Sequence, residues 1–294
     1  MGAADVVPGV SGGTIAFISG IYDELLHSLK SCNLNALKLL FSHGFKSAWM
    51  AVNGNFLAVV FGGVILSIIS LAKVIKFSLD NYPILVWAFF FGLILASGLY
   101  MAKQLERWSW QEGLCFINGV MVAVIISLLP AIQLPDTYLI MFCAGALAIC
   151  AMILPGISGS FILLLLGLYP VLLQAISHAD IPRLICFLCG CVIGLLSFSR
   201  LLSALLDKFH SQTMAVLTGF LLGSLNLVWP WKNALEVTVN RHGEIVPLLQ
   251  ENLLPNSFFL TTGQEPYTLP AIFLSIVGVV LVLGLEYWGK KENC

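Results

Sequence analysis

Charge is what this chain lacks. Only 10% of its 294 residues are Asp, Glu, Lys or Arg, against roughly a quarter in an ordinary soluble domain, while 59% are hydrophobic. That balance excludes a soluble globular protein and defines an integral membrane protein. The formal net charge is -1 and no stretch of several consecutive basic residues occurs, so nucleic acid is not an expected partner. The chain also lacks metal-ligand constellations. Cys186-x-x-Cys189-x-Cys191 has no second CxxC and no His or acidic residue near it within apolar sequence. Cys115, Cys143 and Cys150 likewise fall in apolar segments, where cysteine packs as a small hydrophobe, and neither metal nor cofactor is expected. No cleavable signal peptide is expected, because no basic region precedes the first motif.

What the chain has instead is long uncharged runs. Crossing a bilayer takes about 20 apolar residues, and 82–102, 113–135, 211–231 and 266–285 qualify directly. The runs 56–72 and 184–199 reach full length if a terminal Lys or Arg snorkels to the headgroups. Residues 137–177 are uncharged throughout, enough for two helices, with Pro155-Gly156 near the middle. That is the outline of a helical hairpin.

The same break is written twice. Pro8-Gly9-Val10-Ser11-Gly12-Gly13 returns 147 positions later as Pro155-Gly156-Ile157-Ser158-Gly159-Ser160, with Ala4, Ile15, Gly20, Tyr22 and Leu25 matching Ala151, Ile162, Gly167, Tyr169 and Leu172. At an offset of 127, Gly63, Ser70, Lys73, Asp80, Gly92 and Ser97 match Gly190, Ser197, Arg200, Asp207, Gly219 and Ser224. Each half therefore reads as a re-entrant hairpin followed by three spanning helices. Three is odd, so the second half enters the membrane inverted. The predicted fold is all-α and polytopic, a single membrane domain with repeat one at 1–135, repeat two at 137–288 and a polar external loop at 232–265. Internal repetition around a Pro/Gly break is the pattern of a transporter's binding site.

Positive charge sets the orientation. With 28–55 in the cytoplasm, that side collects Lys30, Lys38, Lys46, Lys103, Arg107, Arg200, Lys208, Lys290 and Lys291, leaving Lys73, Lys76, Arg183, Lys232 and Arg241 outside. Residues 33–50 carry Leu34, Leu37, Leu40, Phe41 and Phe45 at near-helical spacing and read as an interfacial amphipathic helix. Trp108, Trp110, Trp229, Trp231 and Trp288 sit at the ends of apolar segments, as interface anchors do. Met1 aligns with Ala148, so the first hairpin is expected to lack most of the arm that 137–147 supply to the second.

A broken helix at membrane depth needs protein or a polar cavity to satisfy its backbone. After each motif the sequence is predicted to resume as a helix, 15–26 and 161–176. The N–H groups at those helix starts and the hydroxyls of Ser11, Thr14, Ser158 and Ser160 would converge on an anion, a phosphate above all. Gly9, Gly12, Gly13, Gly156 and Gly159 permit the turn and a close approach of backbone to ligand. The simpler explanation is tight helix packing on small residues. Duplication in inverted halves favours a site. Lys73 and Arg200 are the matched cations, either snorkelling or collecting an acidic headgroup at each leaflet. Asp80 and Asp207 read as capping or loop-facing residues. Asp5, whose counterpart is Met152, is the candidate for coupling to protons or sodium ions.

Gly9-Val10-Ser11-Gly12-Gly13 also satisfies the nucleophile pattern G-x-S-x-G. A serine enzyme needs a base within reach, and His27, His43, His178, His210 and His242 all lie in polar connections or at segment ends. No catalytic residue is assigned. An intramembrane hydrolase ranks third, behind a small-solute or ion transporter or channel.

Ala4-Asp5-Val6-Val7-Pro8-Gly9-Val10-Ser11-Gly12-Gly13-Thr14, the following Gly20-Ile21-Tyr22, and Leu154-Pro155-Gly156-Ile157-Ser158-Gly159-Ser160 resemble the bacterial polyprenyl-phosphate transporter family, formerly domain of unknown function 368. The likeness covers nearly the whole chain. It implies a flippase-type transporter, not an enzyme, that returns undecaprenyl phosphate from the outer to the inner leaflet of the bacterial plasma membrane for reuse in cell-wall synthesis. The sequence leaves open the oligomeric state and tail-length preference.

Overall fold

The computed structural model describes residues 1–2, 11–105, 108–130, 132–239 and 245–292. Among the described residues the protein is all-α apart from one β-hairpin. The first described hairpin segment comprises α1 (Gly12–Ile18) and α2 (Tyr22–Ser31), followed by the short helices α3 (Leu34–His43) and α4 (Phe45–Ala51). Three long helices follow: α5 (Gly54–Asn81), α6 (Pro83–Gln104) and α7 (Trp110–Leu128). The second half repeats the plan with α8 (Tyr138–Ile153), α9 (Gly159–Leu165), α10 (Tyr169–Ser177), α11 (Ile181–Lys208) and α12 (His210–Gly223), the last extended by a 3-10 turn over Ser224–Val228. Strands β1 (Lys232–Val239) and β2 (Ile245–Asn252) pair antiparallel, and α13 (Pro255–Thr262) leads into α14 (Thr268–Glu292).

Among the described residues five helices are long and apolar enough to cross a membrane, and α9 with α10 forms a further pair bent by 107°. The repeat is visible in backbone packing. A side chain on Gly219 of α12 would strike the carbonyl of Phe116 in α7, and one on Gly119 would strike that of Val216. In the matching places, Gly92 of α6 meets the carbonyl of Ser275 in α14, and Gly278 meets that of Phe89. Glycine is required at all four positions because backbone lies where a Cβ would be. The α7–α12 and α6–α14 pairs thus form one packing unit used twice, as small residues allow in lipid, where no hydrophobic force drives helices together. Around them, Ile94, Leu217, Leu221 and Val228 form the centre of the core, with Ala16, Phe17 and Leu26 of the first hairpin buried against it.

Three expectations change. The helices predicted over 15–26 and 161–176 are each broken, at Gly20 and Gly167, with φ of 73° and 71°. These matched glycines adopt a left-handed turn that a side chain would strain, and they divide each hairpin into a seven-residue inner helix and a longer outer one. The helix predicted over 33–50 is likewise two, parted at Gly44 with φ 82°. The polar loop is ordered around a β-hairpin, with Lys232 opposite Asn252 and Asn233 opposite Glu251.

Trp229 and Trp231 have partners within the protein. Their indole N–H groups donate to the carbonyls of Leu253 and Pro266, at 2.8 Å each. The two rings pack edge-on to one another, and Trp229 packs on Phe91. They fasten the segment after β2 to the bundle.

Candidate functional site

The two motifs meet inside the bundle. Helix α8 ends at Ile153, leaving its last carbonyls without helical partners. Residues of the first motif supply them. The Ser11 hydroxyl donates to the Met152 carbonyl at 2.8 Å and accepts the Gly13 N–H at 3.1 Å, so it caps α1 and bridges to the other half. The Tyr22 hydroxyl donates to the Ile153 carbonyl at 3.0 Å. In return the Gly156 N–H donates to the Thr14 hydroxyl at 2.9 Å. Ser11, Thr14 and Tyr22 are buried, so each of these bonds forms in a dry interior, where leaving one unmade costs about 1–3 kcal/mol.

Close approach is built from glycine. A Cβ on Gly13 would lie 2.6 Å from the Met152 carbonyl oxygen, and one on Gly159 2.6 Å from that of Ala148. Gly156 has φ 100° and rests against Ser224 and Leu221 of the 3-10 turn and α12. Ser158 is buried and shares a 2.7 Å hydrogen bond with Ser160. Gly12, like Gly13, is buried at the start of α1. Of the nine residues expected at the site, Ser11, Gly13, Thr14 and Gly156 stand at the contact between the tips, while Gly12 is buried at the start of α1 and Ser158, Gly159 and Ser160 contact their own half. Gly9 and the coupling candidate Asp5 lie outside the described residues.

In this structure two of the motif hydroxyls have protein partners. Ser11 and Thr14 are engaged in holding the tips together, and α1 and α9 are too short to present a large dipole. The Thr14 hydroxyl accepts the Gly156 N–H, and the Ser158 and Ser160 hydroxyls share one hydrogen bond with each other. The contact is also unequal, because Thr14 corresponds to Phe161 and cannot be reciprocated.

Lys73 and Arg200 are exposed, each the twentieth residue of a 28-residue helix, and the structure does not bring either to the tips. Asp207 is not a free cap. It pairs with Lys30 at 3.2 Å and with His27 at 3.7 Å, while Asp23 pairs with His210 at 3.9 Å. Lys30 also donates to Ser203 at 3.0 Å. These contacts latch the outer helix of the first hairpin, α2, onto the end of α11. No histidine stands at Ser11 or Ser158 among their hydrogen-bond partners.

Sequence reading assigned no chemistry to Lys232. Its ammonium lies 4.7 Å from the centre of the Trp87 ring and donates to the Leu227 carbonyl. Burial lowers its pKa to about 8. Leu227 is one 3-10 turn, roughly 6 Å, beyond Ser224, so a desolvated cation stands close behind the second tip. A lysine directly after Trp229-Pro230-Trp231 was the available signal, since aromatic faces attract cations. Ser224 was visible only as the match of Ser97.

Inverted halves, two interior helix breaks and tips joined across the halves define a polytopic membrane protein built on the plan of secondary transporters. The chain belongs to the VCA0040-like family, described as undecaprenyl phosphate translocase-like, whose profile matches residues 1–246. It is 50% identical over 291 residues to the polyprenyl-phosphate transporter of Vibrio cholerae serotype O1, covering 99% of this chain and 94% of that one. It is 32% identical over 248 residues to the polyprenyl-phosphate transporter of Staphylococcus aureus, covering 78% and 83%. No solved structure matches it.

Proposed function

We propose that this protein carries undecaprenyl phosphate from the outer to the inner leaflet of the bacterial plasma membrane, where the lipid re-enters cell-wall synthesis. The contact between the two tips carries this reading. Moving the lipid tail through hydrocarbon costs little; moving a charged headgroup is expensive. A polar point made of two hairpins from opposite faces is suited to lower that cost, and both named relatives are polyprenyl-phosphate transporters.

In this mechanism the tips part to expose the backbone N–H groups of Gly9, Gly12, Gly13, Gly156 and Gly159, which receive the phosphate together with the hydroxyls of Ser158 and Ser160. Ser11 and Thr14 release their inter-tip bonds as the halves, 1–135 and 137–288, rock against one another. Each broken bond is repaid by a charge-assisted one to phosphate. Arg200 and Lys73 attract the headgroup at the two leaflets, and Asp5 couples movement to a proton or sodium ion. The protein acts by transport and makes or breaks no covalent bond.

Headgroup selectivity tests the proposal. Purified protein in nanodiscs should bind farnesyl phosphate well above farnesol, and Ser158→Ala with Ser160→Ala should reduce that preference about tenfold, as expected for hydrogen bonds to a charged group. Equal binding of phosphate and alcohol would remove the headgroup site. Turnover of an ester by wild type, lost in Ser11→Ala, would instead establish the hydrolase.

A further inference from the structure

An apolar groove of about 510 Å³ opens between α7, α11 and α12. Its inner end is Leu154, the residue directly before the Pro155-Gly156 break, and its outer end is Phe209, at the junction of α11 and α12. The wall from Phe198 to Phe209 follows α11 for eleven residues, roughly 16 Å at the rise of a helix. Val122 and Phe220 close the opposite side. Three polar residues line it, Asn118, Gln212 and Thr213, and the Asn118 amide donates to the Leu114 carbonyl at 2.8 Å. Leu201 and Leu205 on the rim are exposed, which places the mouth towards lipid.

We infer that this groove holds the isoprenoid chain of the lipid phosphate whose headgroup occupies the tips. The inference rests on the function proposed above. Three observations select that occupant. Leu154, which lines the groove, directly precedes the Pro155-Gly156 break, so a lipid held at the second tip has the groove beside it. Arg200, between the lining residues Phe198 and Leu201, places a cation beside the path without charging the groove. Finally, the groove runs towards the end of α11 that carries Lys208, the cytoplasmic end in the orientation set by positive charge. A lipid entering head-first from the outer leaflet has its tail pointing that way.

The groove supplies direction and a lateral exit more than affinity, because a chain leaving lipid for an apolar wall gains only packing. Its test is therefore one of location. Farnesyl phosphate bearing a photoreactive diazirine on its last isoprene unit should label α7, α11 and α12 around Val122 and Leu205 in wild-type protein in nanodiscs. Val122→Trp and Leu205→Trp, both at partly exposed sites and each filling the groove, should cut that labelling several-fold while phosphate remains preferred over the farnesol probe. Met121→Trp, lipid-facing and outside the groove, should leave it unchanged. Label scattered over all lipid-facing helices, with phosphate still preferred, overturns the groove alone. Loss of the phosphate preference in wild type overturns the headgroup reading instead. Equal displacement of the label by phosphatidic acid with ordinary acyl chains makes the groove a general lipid slot and also overturns the inference.

Discussion

Helices α5 and α11 are both 28 residues long and occupy matched places in the repeat, yet protein covers them unequally. On α11, a Cβ at Gly190 would strike the Phe142 carbonyl and one at Gly194 would lie 2.7 Å from Ala146, because α8 docks there backbone to backbone. On α5, Gly62 and Gly63 have no described atom within 4 Å of where a Cβ would stand. At the next turn the correspondence returns: Gly2 rests on Val64 and Ser67 as Ile149 rests on Gly194. The small-residue face that receives a hairpin arm is therefore written into both helices.

Substitution should separate the two faces most sharply. Gly190→Leu forces α8 from α11 and should lower stability by about 3 kcal/mol, the upper end for overpacking. Gly63→Leu should stay within about 0.5 kcal/mol, as surface changes do. Thermal unfolding in detergent reads both, and equal losses would erase the distinction.

The tips offer the next contrast. Thr14→Val keeps the shape but leaves the Gly156 N–H unpaired, with an expected loss of about 2 kcal/mol. Ser160→Ala in the other tip removes only the bond to Ser158 and should cost about 0.5–1 kcal/mol. The reverse order would place the structural latch in the wrong half.

Lys232 makes stability depend on alkaline pH. Its pKa falls from 10.5 unfolded to about 8 folded, so between these values the unfolded chain holds the extra proton and stability rises with pH. The gain should be about 1–2 kcal/mol, discounted from the full shift for partial exposure. Comparison of melting curves from pH 7 to 10.5 should show this rise in wild type and lose it in Lys232→Met. Smallest of all is the latch on the other side. Asp207→Asn should cost about 0.5 kcal/mol and less in high salt, whereas its match Asp80→Asn should cost nothing measurable.

Much of this architecture was legible because membrane insertion imposes simple rules. Length and apolarity marked the spans, and the offsets of 147 and 127 aligned residues that prove equivalent in packing, as the glycine contacts of α6, α7, α12 and α14 demonstrate. The breaks at Gly20 and Gly167 were less legible. Both glycines were matched across the repeat, but apolar periodicity continues through them and conceals a turn that only backbone geometry reveals. Serine and threonine in a motif announce hydrogen bonding without naming the partner. Thr14 was assigned to an anion, and its partner here is the Gly156 N–H, 142 residues away. Asp207 looked like a loop residue because its partners, Lys30 and His27, belong to the other half. The β-hairpin was missed because its polar sequence carries little alternation to set it apart from a loop. Lys232 was hidden for a related reason: burial by a fold is not a property of its neighbours in sequence.

Leaflet exchange in reconstituted liposomes tests the central claim most directly. With the protein present, a short-chain polyprenyl phosphate should cross many times faster than in protein-free vesicles, while the corresponding alcohol and phosphatidylcholine keep their unassisted rates. Thr14→Val, by loosening the tips, should change the phosphate rate alone. An unaltered phosphate rate would contradict the account, and so would equal acceleration of all three lipids.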